Sequence, residues 1–301
     1  MKEFLLQVIP IILLFIVGIV LRKLKVLAKN DGDTLLRMSL YLSIPASVLL
    51  SMQRVVLEYQ LFYRPLAAGC IVFVTDFRAK LFTKWVKMER KQEGTFLLGC
   101  MIMNTAFMLP FSLAAYKQEG FIRSALFDVG NVFLIFTFIY YTAIRYGDNK
   151  QGVSNNVWKK MATLPPLWAL IIGLIINLTQ AQVPIAINNT LDFLANMTTP
   201  LVMVALGVYF NPKMQNIKKI SLVYLTRIVG GLISGLIFVL IFRLSGLNAK
   251  IIIASAAAPV GYNTLVLSQM EGLDVEFAAS LVSFSILLGV VYIPILILIM
   301  W

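Results

Sequence analysis

Long apolar runs recur along the whole chain, separated by short polar interruptions. They predict ten membrane-crossing helices at about 4–21, 35–53, 61–79, 94–116, 121–144, 162–179, 190–210, 220–242, 249–270 and 274–300, each near the ~20 residues that a hydrocarbon layer of about 30 Å demands. The first run, "FLLQVIPIILLFIVGIVLRKLK" from Phe4, has too long an apolar core and no small-residue cleavage signal, so it reads as a span rather than a secretory leader. The third is the weakest: "PLAAGCIVFVT" stops at Thr75 and is followed by Asp76, Arg78 and Lys80. That span is expected to be short, tilted or snorkelling, with Asp76 and Arg78 as an interfacial ion pair.

Composition agrees with this pattern. Hydrophobic residues make up 59% of the 301 and charged ones 13%, against about 25% charged in a soluble domain. The fold class is therefore an all-α polytopic membrane protein without a separate soluble module. The net charge of +12 suggests nucleic acid only until the basic residues are placed. Nineteen of the 26 Lys and Arg fall in alternate connections: Arg22, Lys23, Lys25, Lys29 and Arg37 in the first; Arg78, Lys80, Lys84, Lys87, Arg90 and Lys91 in the third; Arg145, Lys150, Lys159 and Lys160 in the fifth; Lys213, Lys218, Lys219 and Arg227 in the seventh. By the positive-inside rule these face the cytoplasm and both termini face out, in the plasma (inner) membrane. No nucleic-acid partner is expected; the lipid bilayer is.

The two halves resemble each other. "TLLRMSLYLSIPASVLL" (34–50) parallels "TLDFLANMTTPLVMVAL" (190–206), and "KQEGFIRSALF" (117–127) parallels "QMEGLDVEFAA" (269–279), at offsets of 152 to 156 residues. The repeats are then 1–150 and 151–301. A unit of five spans must insert upside down the second time, which predicts two inverted five-helix repeats forming one transporter domain.

Spans four and nine occupy equivalent places and carry polar residues beside helix breakers: Asn104 and Thr105 before Pro110, and Pro259 with Gly261 before Asn263 and Thr264. A proline in a helix interior costs about 3 kcal/mol or more, and backbone groups freed at membrane depth must bond something. Paired interrupted helices mark a carrier's midplane site. Half-helix N-termini offer free N–H groups to an anion, and asparagine amides can donate to a carboxylate.

The runs "NTAFMLP", "ALFDVGN", "TTPLVMVALG" and "AAPVGYNTLVLSQMEGLDVEFAAS" resemble the auxin efflux carrier (AEC) family over the whole chain. That family includes bacterial malate and malonate permeases and the plant PIN auxin exporters. The resemblance implies a bile-acid/sodium-symporter-like fold in which helices four and nine break and cross. It also implies elevator-like carriage of a small organic anion, with Asn104, Pro110, Pro259 and Asn263 at the crossover. The long hydrophilic central loop of the plant exporters is absent, and "MNTAF" stands where many relatives have "GNTGF".

Asp128, with Asn131 one turn on, is the best intramembrane titratable candidate for a proton or coupling-ion site, since an acid there costs about 2.5–3.5 kcal/mol to insert. Pro45 and Pro200 are expected to bend spans two and seven, Asp192 to act as a helix-N-terminal acid, and Gly231 with Gly235 to form a close-packing face. Cys70 and Cys100 are unpaired in spacing and the chain has no His, which excludes a Cys/His metal site and a histidine relay. No GxSxG, HExxH or phosphate loop is present, so no enzyme is expected. No cofactor is expected either, with coupling to H+ or Na+ left open and a homodimer as an open option. The competing readings are a sodium-coupled bile-acid-type symporter, a non-transporting membrane sensor for a lipid or metabolite, and a passive channel.

Overall fold

A computed structural model describes residues 2–54, 63–147, 162–210 and 217–300, with the side chains of 2–8, 11, 106, 110, 113, 114 and 118 left aside. The loop charges Lys150, Lys159, Lys160 and Lys213 lie outside the described residues. The described residues are helical apart from connections and one isolated bridge. In chain order the helices are α1 (Lys2–Lys23), α2 (Lys29–Arg54), α3 (Tyr63–Thr83), α4 (Arg90–Met101), α5 (105–116), α6 (Glu119–Tyr146), α7 (Pro165–Thr179), α8 (Ile185–Tyr209), α9 (Ile217–Ile241), α10 (Gly246–Ala256), α11 (Asn263–Glu271) and α12 (Val275–Ile299).

Among the described residues five runs, α2, α6, α8, α9 and α12, are long and apolar enough to cross a membrane. Their outer faces carry large apolar side chains such as Phe193, Leu240, Val291 and Leu298. Exposed in such numbers, they require lipid rather than water.

Prolines are absorbed locally. In α2 a π-turn at Ser39–Ser43 precedes Pro45, the wider ring making room where proline would meet the carbonyl one turn back. In α8 a single turn residue, Met197, interrupts the helix just before Pro200.

The third span is not short: α3 continues through its charges to Thr83. Asp76 pairs with Lys80, one turn on, at 2.7 Å, and not with Arg78, because residues two apart on a helix do not face each other. The Arg78 Nη1 instead donates to Gly230 O at 2.6 Å and Ser234 Oγ at 3.1 Å on α9.

Two helix pairs pack with backbone nearly touching. A Cβ on Gly18 of α1 would lie 2.2 Å from Val204 O and 2.9 Å from Gly207 Cα on α8; one on Gly173 of α7 would lie 2.8 Å from Leu49 O and 2.6 Å from Met52 Cβ on α2. Near the end of each pair a side chain ties off its partner's final carbonyls: Arg22 donates to Val208 O at 2.8 Å, and Asn177 to Gln53 O at 2.8 Å.

Candidate functional site

The chain breaks helix twice, and the two breaks meet. Between α4 and α5 the backbone is extended at Ile102 and leaves the helix again at Asn104. Between α10 and α11 it unwinds from Ala257 to Tyr262. An antiparallel bridge joins Met103 to Val260, with Asn104 N–H donating to Pro259 O at 2.9 Å and Gly261 N–H to Ile102 O at 3.0 Å. Gly261 is required by proximity: a Cβ there would sit 2.5 Å from the Ile102 side chain and 3.0 Å from Met103 O.

Backbone groups freed at such depth must find partners, and most are traceable. Val260 N–H donates to Ser285 Oγ at 2.7 Å, and Tyr292 OH donates to Ala257 O at 2.7 Å, both from α12. On the other break, Asn131 Nδ2 of α6 donates to Met103 O at 3.1 Å. The Asn104 side-chain oxygen caps α5 by accepting from Phe107 N–H at 3.2 Å. Proline at 259 removes one donor where no acceptor would be needed.

Position 110 falls inside the helix that opens at Thr105, so the first break is not made at Pro110 as expected; it comes earlier, where the bridge to Val260 competes with the helical ladder. The Pro110 side chain lies outside the described residues. Asn104, Thr105, Pro259, Asn263 and Thr264 all lie at or next to the breaks. Thr105 also joins the proposed coupling pair: its hydroxyl donates to Asp128, which accepts from Asn131 Nδ2 at 3.3 Å as well. Three buried polar atoms here, Asn131 Oδ1, Asn263 Oδ1 and Thr264 Oγ1, have no hydrogen-bond partner among the described residues. Orphans of that kind cost about 1–3 kcal/mol each unless water or a ligand satisfies them.

A cavity of about 490 Å³ lies between α2 and α8 on one side and α5 and α6 on the other, lined by residues that include Ser47, Met52, Leu109, Leu126 and Asp128. Neither Asn104 nor Asn263 lines it; Asp128 is the site residue that does. Asp192 is not a helix-start acid, since α8 begins at Ile185. It pairs with Arg54 at 3.0 Å across the cavity's exposed end.

Arg227 was expected in a cytoplasmic connection, but it sits fully buried inside α9. Its Nη1 donates to Cys100 O at 3.2 Å and Met101 O at 3.4 Å, and its Nη2 to Ala256 O at 2.5 Å. One guanidinium thus caps the C-terminal ends of both α4 and α10. The signal was readable: Arg227 falls within the apolar run 220–242, and a charge at that depth calls for a partner or a job.

Residues 4–297 match the profile of a family described as Membrane transport protein. The chain belongs to this family, which is auxin efflux carrier-like. Similar proteins include an uncharacterized transporter of Methanothermobacter thermautotrophicus, 26% identical over 294 residues and 95% of both chains. A second, from Methanocaldococcus jannaschii, is 25% identical over 283 residues and 91% of both. Family and apolar helices together make this a multi-pass membrane protein of transporter type.

Proposed function

We propose that the protein is a secondary carrier of a small organic anion, a mono- or dicarboxylate of the malate or malonate kind, working by alternating access around the α4/α5 and α10/α11 crossover in the plasma membrane. The observation that carries this is the bridged double break, beside which the buried Thr264 hydroxyl, a group able to donate to a carboxylate, has no hydrogen-bond partner among the described residues. The α5 and α11 N-termini open at the breaks and bring their positive dipole ends to the crossover, which favours an anion there.

An inverted repeat of 1–150 and 151–301, with ten spans, is supported by contacts at a constant offset. Gly18 on Val204 and Gly207 corresponds to Gly173 on Leu49 and Met52, and Arg22 on Val208 O to Asn177 on Gln53 O, every residue shifted by 155 positions. The swap of partners, α1 with α8 against α7 with α2, is what a pseudo-twofold axis in the membrane plane produces. These four helices form the scaffold. The remaining helices, built around the crossover, move against them, and the cavity lies between the two groups. Asp128, hydrogen-bonded at the cavity wall, takes the proton that accompanies the anion.

The test is thermal-shift screening of purified protein against malonate, malate and monocarboxylates at two pH values, followed by uptake into proteoliposomes. A ligand bound only by the native state stabilises by about 2.7 kcal/mol at 100 times its Kd. A carboxylate-specific shift that Asn263→Ala abolishes, with folding and insertion retained, is expected. Retained affinity in Asn263→Ala would remove the crossover as the site, and a shift with sterols or lipids but no carboxylate would favour a sensor.

A further inference from the structure

Arg227 carries a full positive charge into the protein interior, and among the described residues its hydrogen-bond partners are backbone carbonyls. Cys100 O and Met101 O end α4, and Ala256 O ends α10; Arg227 Nε has no hydrogen-bond partner among the described residues. Each helix C-terminus carries about half a negative elementary charge. Two such ends converging on one guanidinium therefore sum to about one negative charge, which balances the arginine without any carboxylate.

The backbone leaves room for this contact. Gly231 lies one turn beyond Arg227, and a Cβ on it would fall 2.2 Å from Ala256 O and 2.4 Å from Arg227 Nη2. The expected role of Gly231 in close helix packing therefore becomes more specific: its bare backbone lets the guanidinium reach α10.

Carriers built on broken helices use these same groups, half-helix C-terminal ends and unwound carbonyls, to coordinate a coupling Na+. We propose that the Arg227 guanidinium is a tethered replacement for that cation, pinning the carbonyl ends of the two broken helices together and making the carrier independent of sodium. This rests on reading the crossover as a carrier's site. The charge that a sodium carrier must bind and release on every cycle is here covalent and permanent, so the crossover keeps its shape whether or not an ion is present. Arg227 is a positioning residue: it acts on the α5 and α11 N-termini through the bridge it stabilises.

The test needs no carboxylate, so its failure is distinct from failure of the anion reading. Purified full-length protein in lipid nanodiscs is melted in sodium, potassium and choline chloride at equal ionic strength. The wild type is expected to melt at the same temperature in all three. Arg227→Ala is expected to lose on the order of 10 °C and to regain most of it on addition of methylguanidinium, which fills the vacated position, but not of choline. Stabilisation of the wild type by sodium over choline would overturn the proposal, as would a variant that methylguanidinium rescues no better than choline. Should Arg227→Ala fail to fold, Arg227→Lys is compared with Arg227→Met. The charged variant must be the more stable, and an equal or higher melting temperature for the methionine variant overturns the proposal.

Discussion

Gly231→Ala tests the crossover's support with a single methyl group. The added carbon would stand 2.2 Å from Ala256 O and 2.4 Å from Arg227 Nη2, where ordinary contact begins at 3.4 Å. Neither neighbour can yield cheaply: the first is backbone at the end of α10, and the second is held by that same carbonyl at 2.5 Å. Relief requires α9 and α10 to separate by about 1 Å, an overpacking cost of about 1–3 kcal/mol. It also breaks a charge-assisted hydrogen bond worth about 1.5–3 kcal/mol. Against this stands a gain of up to about 1 kcal/mol from replacing glycine within a helix. The net loss is about 2–5 kcal/mol, or a melting temperature lower by roughly 5–20 °C. The control is Gly69→Ala in α3, where the nearest atom is Leu134 Cδ1 at 3.9 Å and the methyl group has room. Thermal denaturation of both variants in nanodiscs, followed by near-ultraviolet circular dichroism, separates them. If Gly231→Ala melts with Gly69→Ala at or above the wild-type temperature, the close approach of Arg227 to Ala256 is not there.

Two other outcomes are expected. Gly18→Ala and Gly173→Ala each drive a methyl group into the partner helix's backbone, so both should lower the melting temperature, by about 1–3 kcal/mol of overpacking; a fully tolerated change at one position but not the other would break the equivalence of the two interfaces. Asp128→Asn keeps the shape and the Thr105 and Asn131 neighbours while removing the titrating group, so carboxylate uptake driven by an inward proton gradient should fall to the level seen without a gradient, with binding retained. Gradient-driven uptake that persists unchanged in Asp128→Asn would assign the coupling elsewhere.

Much of this protein was legible in the sequence. Hydropathy alone places the helical segments, because in lipid every backbone group must be satisfied within its own helix and the apolar length is dictated by the bilayer. Pro259 and Gly261 beside Asn-Thr marked the second interruption, and Ala257 to Tyr262 unwinds around them as that chemistry requires. Four features depended on the tertiary structure. The first break falls at Ile102–Asn104 rather than at Pro110, because the decisive competitor for those backbone groups is the Pro259–Gly261 segment, more than 150 residues away. Arg78, left over when Asp76 pairs with Lys80 one turn on, finds Gly230 O and Ser234 Oγ on α9, partners that only packing supplies. Asp192 meets Arg54 because α2 and α8 lie side by side. Arg227 stands out in the sequence as a charge inside the apolar run 220–242, but its partners do not. Only the convergence of two helix C-termini on one point, a property of packing with no local signature, gives that buried charge its counter-charge.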